Sequence, residues 1–242
     1  MFIKNNLGFF KPYFYYLRKS MFIFNYRLWV IPLILLSSHL ALAAPMGFEG
    51  SVMTMFDFNQ NWREVGFNYA ITSRDALGLN HLEFRSDDHK DKRVVNTVNY
   101  TRLLSRWNLT DAQSNLWLFM GLGQIRQGHI ADGIEANTNS FITSPGFQFD
   151  YETRRIYFAT THKFYRATNL NHDTTSIRAG FSFYEADYDQ TQPWFILETK
   201  YTNQVSEKIE VIPMLRLINK NIFVEGGMNN SGQPRFNLMV TF

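Results

Sequence analysis

Residues 235–242 read Arg-Phe-Asn-Leu-Met-Val-Thr-Phe, and this stretch decides the fold class. Because side chains alternate between the two faces of a strand, its large apolar residues fall mainly on one face. A soluble protein that exposed such a strand would offer a template for aggregation. A strand that closes a barrel inside a membrane avoids this, because its apolar face meets lipid and its edge pairs with the first strand. The stretch therefore predicts a transmembrane β-barrel.

The same stretch resembles the last strand of bacterial outer-membrane β-barrel proteins, which commonly alternates in this way and finishes with Phe. In that class of protein, the assembly machinery of the outer membrane recognises this strand. The resemblance implies an outer-membrane location in a Gram-negative bacterium, with outer-membrane lipid and the assembly machinery as partners. It also implies an assembly signal made of Phe236, Leu238, Val240 and Phe242. It specifies neither a permeant nor an oligomeric state.

The N-terminal region is typical of a secretory signal peptide. Residues 28–43 form an apolar segment that closes on the small-residue pattern Ala41-Leu42-Ala43. The segment is short for a membrane-spanning helix. We therefore predict a cleaved signal peptide at residues 1–43, with Met21 as an alternative start, and a single barrel domain at residues 44–242. The alternative is an N-terminal anchor helix that stays attached.

Composition excludes several classes of function. The first 43 residues carry five of the 24 basic residues and none of the 21 acidic ones, so the remainder has a formal charge of −2. The basic isoelectric point belongs to the targeting segment, and we predict no nucleic-acid partner. The chain has no Cys, which excludes a disulfide framework and thiolate metal sites. Its 23 Phe, 12 Tyr and 5 Trp are enough to form aromatic girdles at both membrane interfaces.

Apolar alternation with a period of two recurs after the signal, whereas no stretch keeps a helical period. The clearest example is the stretch 177–184, where Ile177, Ala179 and Phe181 share one face. Turn-forming residues separate the alternating runs. The breaks fall at 58–61, 72–75, 86–93, 105–114, 128–137, 151–154, 167–174, 188–193, 204–207, 219–221 and 229–234. They predict an all-β, closed, antiparallel, up-and-down transmembrane barrel of about twelve strands, with ten as the alternative.

The order of the breaks gives an orientation. If both termini are periplasmic, the odd-numbered breaks lie outside, and three of these are among the longest and most polar. Barrels of this class have short periplasmic turns and longer external loops. The long break at 105–114 falls on the periplasmic side and does not fit that asymmetry.

The faces opposite the apolar ones carry charges of both signs. We predict that the following residues line the lumen: Glu64, Glu83, Arg85, Arg178, Glu198, Lys200, Glu210, Arg216 and Glu225. They could form the constriction of a selective channel. Alternatively, opposite charges pair across strands and fill the barrel, since eight-stranded barrels are filled by side chains and wide pores appear near sixteen strands. We favour the paired plug, because the strands that carry Arg178 and Glu198 are adjacent, as are those of Arg216 and Glu225.

Histidine and carboxylate side chains in the predicted external breaks could bind a surface metal ion. They are His89, His129 and His172, with Asp87, Asp88, Asp91, Asp132, Glu135 and Asp173 nearby. No ligand spacing joins them, so solvated polar loops are the favoured interpretation. We predict neither a metal nor a cofactor.

Two other classes of protein stay open. An outer-membrane lipase or acyltransferase would need His81 or His162 within hydrogen-bond reach of a serine, and Ser182 carries no motif of that kind. A soluble periplasmic β-barrel that binds an apolar ligand would turn its apolar faces inward. We predict instead a non-catalytic outer-membrane barrel, either a narrow or occluded channel or a structural component of the envelope.

Overall fold

A computed structural model describes residues 46–87, 90–131, 134–168, 170–187, 189–206 and 208–242, with only the backbone described at 129–131 and 134–137. The predicted signal peptide, residues 1–43, lies outside the described residues. Within them, no helix is long and apolar enough to cross a membrane.

The described chain is built from antiparallel strands. In chain order these are β1 (Val52–Phe58), β2 (Trp62–Ala70), β3 (Asp75–Arg85), β4 (Asp91–Asn108), β5 (Ala112–Ala131), β6 (Ile134–Thr143), β7 (Gly146–Thr153), β8 (Ile156–Ala167), β9 (Leu170–Ser182), β10 (Gln192–Thr202), β11 (Glu210–Asn219), β12 (Ile222–Met228) and β13 (Pro234–Thr241). Apart from β6 and β7, strands next to each other in sequence pair with each other, as in an up-and-down barrel.

The sheet closes where the first strand meets the last. β1 pairs with β13 in a register that places Met53 opposite Thr241. Backbone bonds extend this seam, because Phe242 N donates to Val52 O at 2.8 Å and Val52 N donates to Phe242 O at 3.0 Å. The terminal stretch thus closes the barrel as its alternation predicts. That the assembly machinery recognises it stays a prediction.

Strands β6 and β7 form one strand of the wall. Both pair with β5 and with β8. Between them, Ser144 and Gly121 exchange two backbone hydrogen bonds of 2.8 and 3.1 Å. Pro145 has no N–H to donate, which interrupts the ladder at this point. The wall therefore has twelve strands, and the predicted closed antiparallel barrel is confirmed.

The outer surface is apolar and the inner surface is mixed. On β9, the side chains of Ile177 and Phe181 are exposed, whereas Ser176 and Ser182 are buried in the interior. The outward faces of the other strands continue this belt with exposed Phe, Leu, Ile and Val side chains. Apolar faces turned outward fit lipid and oppose the soluble-barrel alternative, which needs them turned inward.

The connections differ in length from those predicted. Strands β4 and β5 extend so far that only residues 109–111 separate them, which removes the long break predicted at 105–114. The predicted break at 167–174 likewise shrinks to residues 168–169. The longest connection, 183–191, falls instead on the predicted periplasmic side. Connection length therefore does not determine which end of this barrel faces outward.

Candidate functional site in the barrel lumen

Six charged side chains from six strands alternate in sign along the lumen. In order of contact they are Asp57, Arg235, Glu198, Arg178, Glu225 and Arg216. We call them the luminal charge chain. With three cations and three carboxylates, it is neutral as a whole.

The first contacts of the luminal charge chain involve Arg235. Its Nη2 lies 2.8 Å from Asp57 Oδ2, and its Nη1 lies 3.0 Å from Glu198 Oε2. Glu198 also accepts a hydrogen bond of 2.6 Å from Ser176 Oγ and lies 3.8 Å from Arg178 Nε. This carboxylate therefore bridges two guanidinium groups that come from different strands.

The remaining contacts converge on Glu225, which is fully buried. Arg216 Nε donates to Glu225 Oε1 at 2.7 Å, Arg178 donates to Oε2, and Asn237 Nδ2 donates to Oε2 at 2.8 Å. The guanidinium of Arg216 lies over the rings of Tyr157 and Phe223, 4.3 and 4.7 Å from their centroids. A buried charge is tolerated only when it is paired and its hydrogen-bonding groups are occupied, and Glu225 meets that condition.

A second group of polar residues lies beside the luminal charge chain. Glu64 accepts hydrogen bonds from Trp62 Nε1 at 3.1 Å and from Asn80 Nδ2 at 3.0 Å, and Lys163 Nζ lies 3.5 Å from its carboxylate. The ammonium of Lys200 lies 4.1 Å from the centroid of the Trp62 ring, a cation–π distance. These groups line a cavity of about 250 Å³ that the luminal charge chain also borders.

Apolar clusters lie at both ends of the lumen. At the end predicted to face outward, Leu82, Phe84 and Ile125 pack together, and Val205 from the β10–β11 connection packs against them. At the opposite end, Trp117 packs against Leu103 and Met46. The polar middle of the lumen is therefore bounded by apolar side chains on both sides.

Seven of the nine predicted lumen residues lie on the inward faces of their strands. They are Glu64, Arg178, Glu198, Lys200, Glu210, Arg216 and Glu225. The strands predicted to be neighbours also place these charges side by side, since Arg178 is opposite Glu198 in the register and Arg216 is opposite Glu225.

The prediction is wrong for Glu83 and Arg85, which point outward. Their neighbours Leu82 and Phe84 are the buried inward residues of β3, at 0% and 1% exposure. Arg85 Nη2 lies 2.7 Å from Glu83 Oε1, and Lys92 Nζ lies 3.2 Å from Glu83 Oε2, both on the outer surface. The polarity of the two faces inverts here, because the end of the strand packs an apolar cluster inside and carries charges outside.

Sequence reasoning missed three members of the site. Arg235 lies on the inward face of the terminal strand together with Asn237, so the alternation of this strand could have identified Arg235 as a lumen residue. The alternation of β1 could have identified Asp57 as a lumen residue in the same way. Lys163 lies in the stretch 155–166, whose alternation is too irregular to assign its faces from sequence.

One of the three histidines predicted in external loops lies in a different environment. His172 lies in β9 and not in a loop; it is fully buried and stacks on Phe84 with 4.7 Å between the ring centroids. His89 lies outside the described residues, as does the side chain of His129. Among the described residues, no three His, Asp or Glu side chains converge as metal ligands.

The geometry that an acyl-transfer enzyme needs does not form at the candidate residues. His81 is exposed on the outer face, where its Nδ1 lies 2.7 Å from Asn96 Oδ1. His162 Nδ1 lies 2.8 Å from Thr175 Oγ1, and both belong to the outward face. Ser182 Oγ donates instead to backbone carbonyls, including Pro193 O at 3.3 Å. His81 and Glu83 therefore both lie on the outer face of β3.

The closed wall, the apolar exterior and the charged interior define a transmembrane β-barrel of the outer-membrane class. No family model and no curated protein matches the chain. Several solved structures resemble it, among them the following three. The β domain of the Bordetella autotransporter Brka has a TM-score of 0.46 and 11% identity, covering 79% of this chain and 97% of that chain. The KdgM porin has a TM-score of 0.44 and 11% identity, covering 79% and 98%. The N-terminal β-barrel domain of Pseudomonas aeruginosa OprF has a TM-score of 0.36 and 10% identity, covering 80% and 98%. No activity is transferred from these proteins to this chain.

Proposed function

We propose that this chain is exported to the outer membrane of a Gram-negative bacterium and forms a barrel whose lumen is closed at rest. It acts as a structural component of the envelope and not as an open pore. The observation that carries the proposal is the luminal charge chain, because every one of its cations has a carboxylate partner inside the barrel.

An open, selective pore would need a different interior. Selectivity filters use rings of like charge or of carbonyl groups that ions can contact. Here the charges of opposite sign neutralise each other, and apolar clusters bound them at both ends. A hydrated ion would have to displace Glu225 from Arg178 and Arg216 and leave buried charges unpaired. Such a barrier opposes steady conduction.

The luminal cavity supports a second candidate function, a narrow channel that opens on demand. The cavity of about 250 Å³ already provides space in the lumen beside Lys200, Glu64 and most of the luminal charge chain. Val205 comes from a connection and not from the wall, so movement of residues 203–206 would remove an apolar side chain from the outward end of the lumen.

Planar-bilayer recording of the refolded chain 44–242 distinguishes the two candidates. The closed barrel is expected to give no steady conductance, with a known porin in the same bilayer as a positive control. A steady, ion-selective conductance would contradict closure. If its selectivity also changed in Arg216→Ala, the luminal charge chain would line a conduction path and the channel would be the correct function.

A further inference from the structure

The outward face of β2–β5 changes from apolar to cationic within three rows of cross-strand neighbours. In the register, Phe67, Leu79, Val98 and Leu122 form one row, and all four are exposed to the surroundings of the barrel. The next row consists of Val65, His81, Asn96 and Gln124, and the row beyond it consists of Arg63, Glu83, Val94 and Arg126. Arg85 and Lys92 pair in the row after that. The cations therefore lie just beyond the apolar belt.

The charges in these rows do not balance. The described side chains contribute four cations, Arg63, Arg85, Lys92 and Arg126, and a single carboxylate, Glu83. Glu83 Oε1 lies 2.7 Å from Arg85 Nη2 and 3.9 Å from Arg63 Nη1, while its Oε2 lies 3.2 Å from Lys92 Nζ. One carboxylate thus contacts three cations, so the described side chains of these rows carry an excess of positive charge. We call the four cations the rim cation surface.

The position of this excess positive charge on the barrel indicates which anionic groups could neutralise it. The rim cation surface lies at the end of the barrel that carries the connections 59–61 and 86–90, which are external if both termini are periplasmic. Directly beyond the hydrocarbon belt lie the lipid headgroups. Long cationic side chains reach such headgroups while their stems stay on apolar surface. Guanidinium groups bind phosphate through two parallel hydrogen bonds.

We propose that the rim cation surface binds the phosphate groups of an anionic lipid in the outer leaflet, and so anchors the β2–β5 side of the barrel to that lipid. The proposal rests on the proposed outer-membrane location. Glu83 acts as the positioning residue, because its carboxylate gathers Arg85, Lys92 and Arg63 into one phosphate-sized cluster.

The test measures binding of purified, doubly phosphorylated lipid A to the detergent-solubilised barrel, with dephosphorylated lipid A as the control ligand. Wild type is expected to bind the phosphorylated form at least tenfold more tightly. The double variant Arg63→Gln/Arg126→Gln is expected to lose that preference by about tenfold. Both residues are exposed on the wall, so the variant keeps the heat-modifiable gel mobility of a folded barrel.

The matched control is Arg102→Gln/Arg154→Gln, which removes two exposed cations from the opposite end of the barrel. It is expected to bind the lipid as wild type does. Equal binding of both lipid forms, or an equal loss in the control variant, would overturn the proposal. Fractionation of cells tests the location separately: recovery in the soluble fraction would contradict the proposed function, whereas the detergent assay tests the lipid site itself.

Discussion

At the residue scale, the contact between Arg216 and Glu225 is where the interior is most sensitive to change. Both side chains are buried, and Arg216 Nε donates to Glu225 at 2.7 Å. Arg216→Ala is expected to destabilise the folded barrel by about 3–5 kcal/mol, because it leaves Glu225 with one guanidinium fewer in a medium of low dielectric. Urea-dependent unfolding in liposomes, followed by Trp fluorescence, measures the loss.

The matched control for that prediction is an exposed ion pair. Arg154 Nη1 lies 3.6 Å from Glu185 Oε2, with most of the Arg154 side chain in solvent. Surface pairs of this kind contribute little, because water screens them and both side chains lose freedom on pairing. Arg154→Ala should therefore unfold at the wild-type urea concentration. Equal midpoints for the two variants would show that the lumen is hydrated and that its charges are not coupled.

At the element scale, strand β9 tests which face meets lipid. Ile177 is exposed near the middle of its outward face. Ile177→Arg is expected to cost about 2–4 kcal/mol of folding free energy, since the hydrocarbon cannot solvate a guanidinium. Asn171→Arg, on the same face but next to the β8–β9 turn, should fold as wild type does. Refolding yields into liposomes compare the two, and equal yields would contradict a lipid-facing belt.

The elements also show how far sequence reasoning reaches. Alternation is a local property with a period of two, so it identified the twelve strands and the inward faces of most of them. Alternation did not predict where the strands end, and the reason is physical. Beyond the bilayer, β4 and β5 continue as a paired ladder through polar residues such as Arg106 and Gln113, which sequence reading takes for a loop. The boundary at the other end of the barrel explains Glu83 and Arg85, because charged side chains past the apolar belt are solvated on the outer face.

The site itself could be predicted only in part. That the strands of Arg178 and Glu198 are neighbours follows from strand order alone, whereas their register comes from the structure. Contacts across the lumen do not, because Arg178 on β9 reaches Glu225 on β12 only through the curvature of the closed wall. The packing of Val205 in the luminal apolar cluster could not be predicted either, since nothing in the local sequence distinguishes an apolar residue of a connection that packs inward.

At the scale of the whole molecule, the seam between β1 and β13 distinguishes a closed barrel from an open sheet. An open sheet would leave the amides of an edge strand free to exchange with water. In the closed barrel, amides of β1 pair with both β2 and β13. Hydrogen exchange in detergent micelles is expected to protect β1 and β13 as strongly as β9 and β10, with rapid exchange confined to connections such as 183–191. Rapid exchange across β1 would show that the seam opens.

The luminal charge chain has a further consequence, which concerns the order of folding. Asp57 and Arg235 are 178 residues apart in sequence, so their ion pair can form only after strands from both ends of the described barrel have met. A sheet inserted in lipid before β1 meets β13 would carry Asp57 into hydrocarbon without its guanidinium partner, where an unpaired charge is costly. Contacts between such distant parts of a chain form slowly, because the intervening loop must close first. We therefore expect neutralisation of Asp57 and closure of the wall to occur together, in a late step of folding.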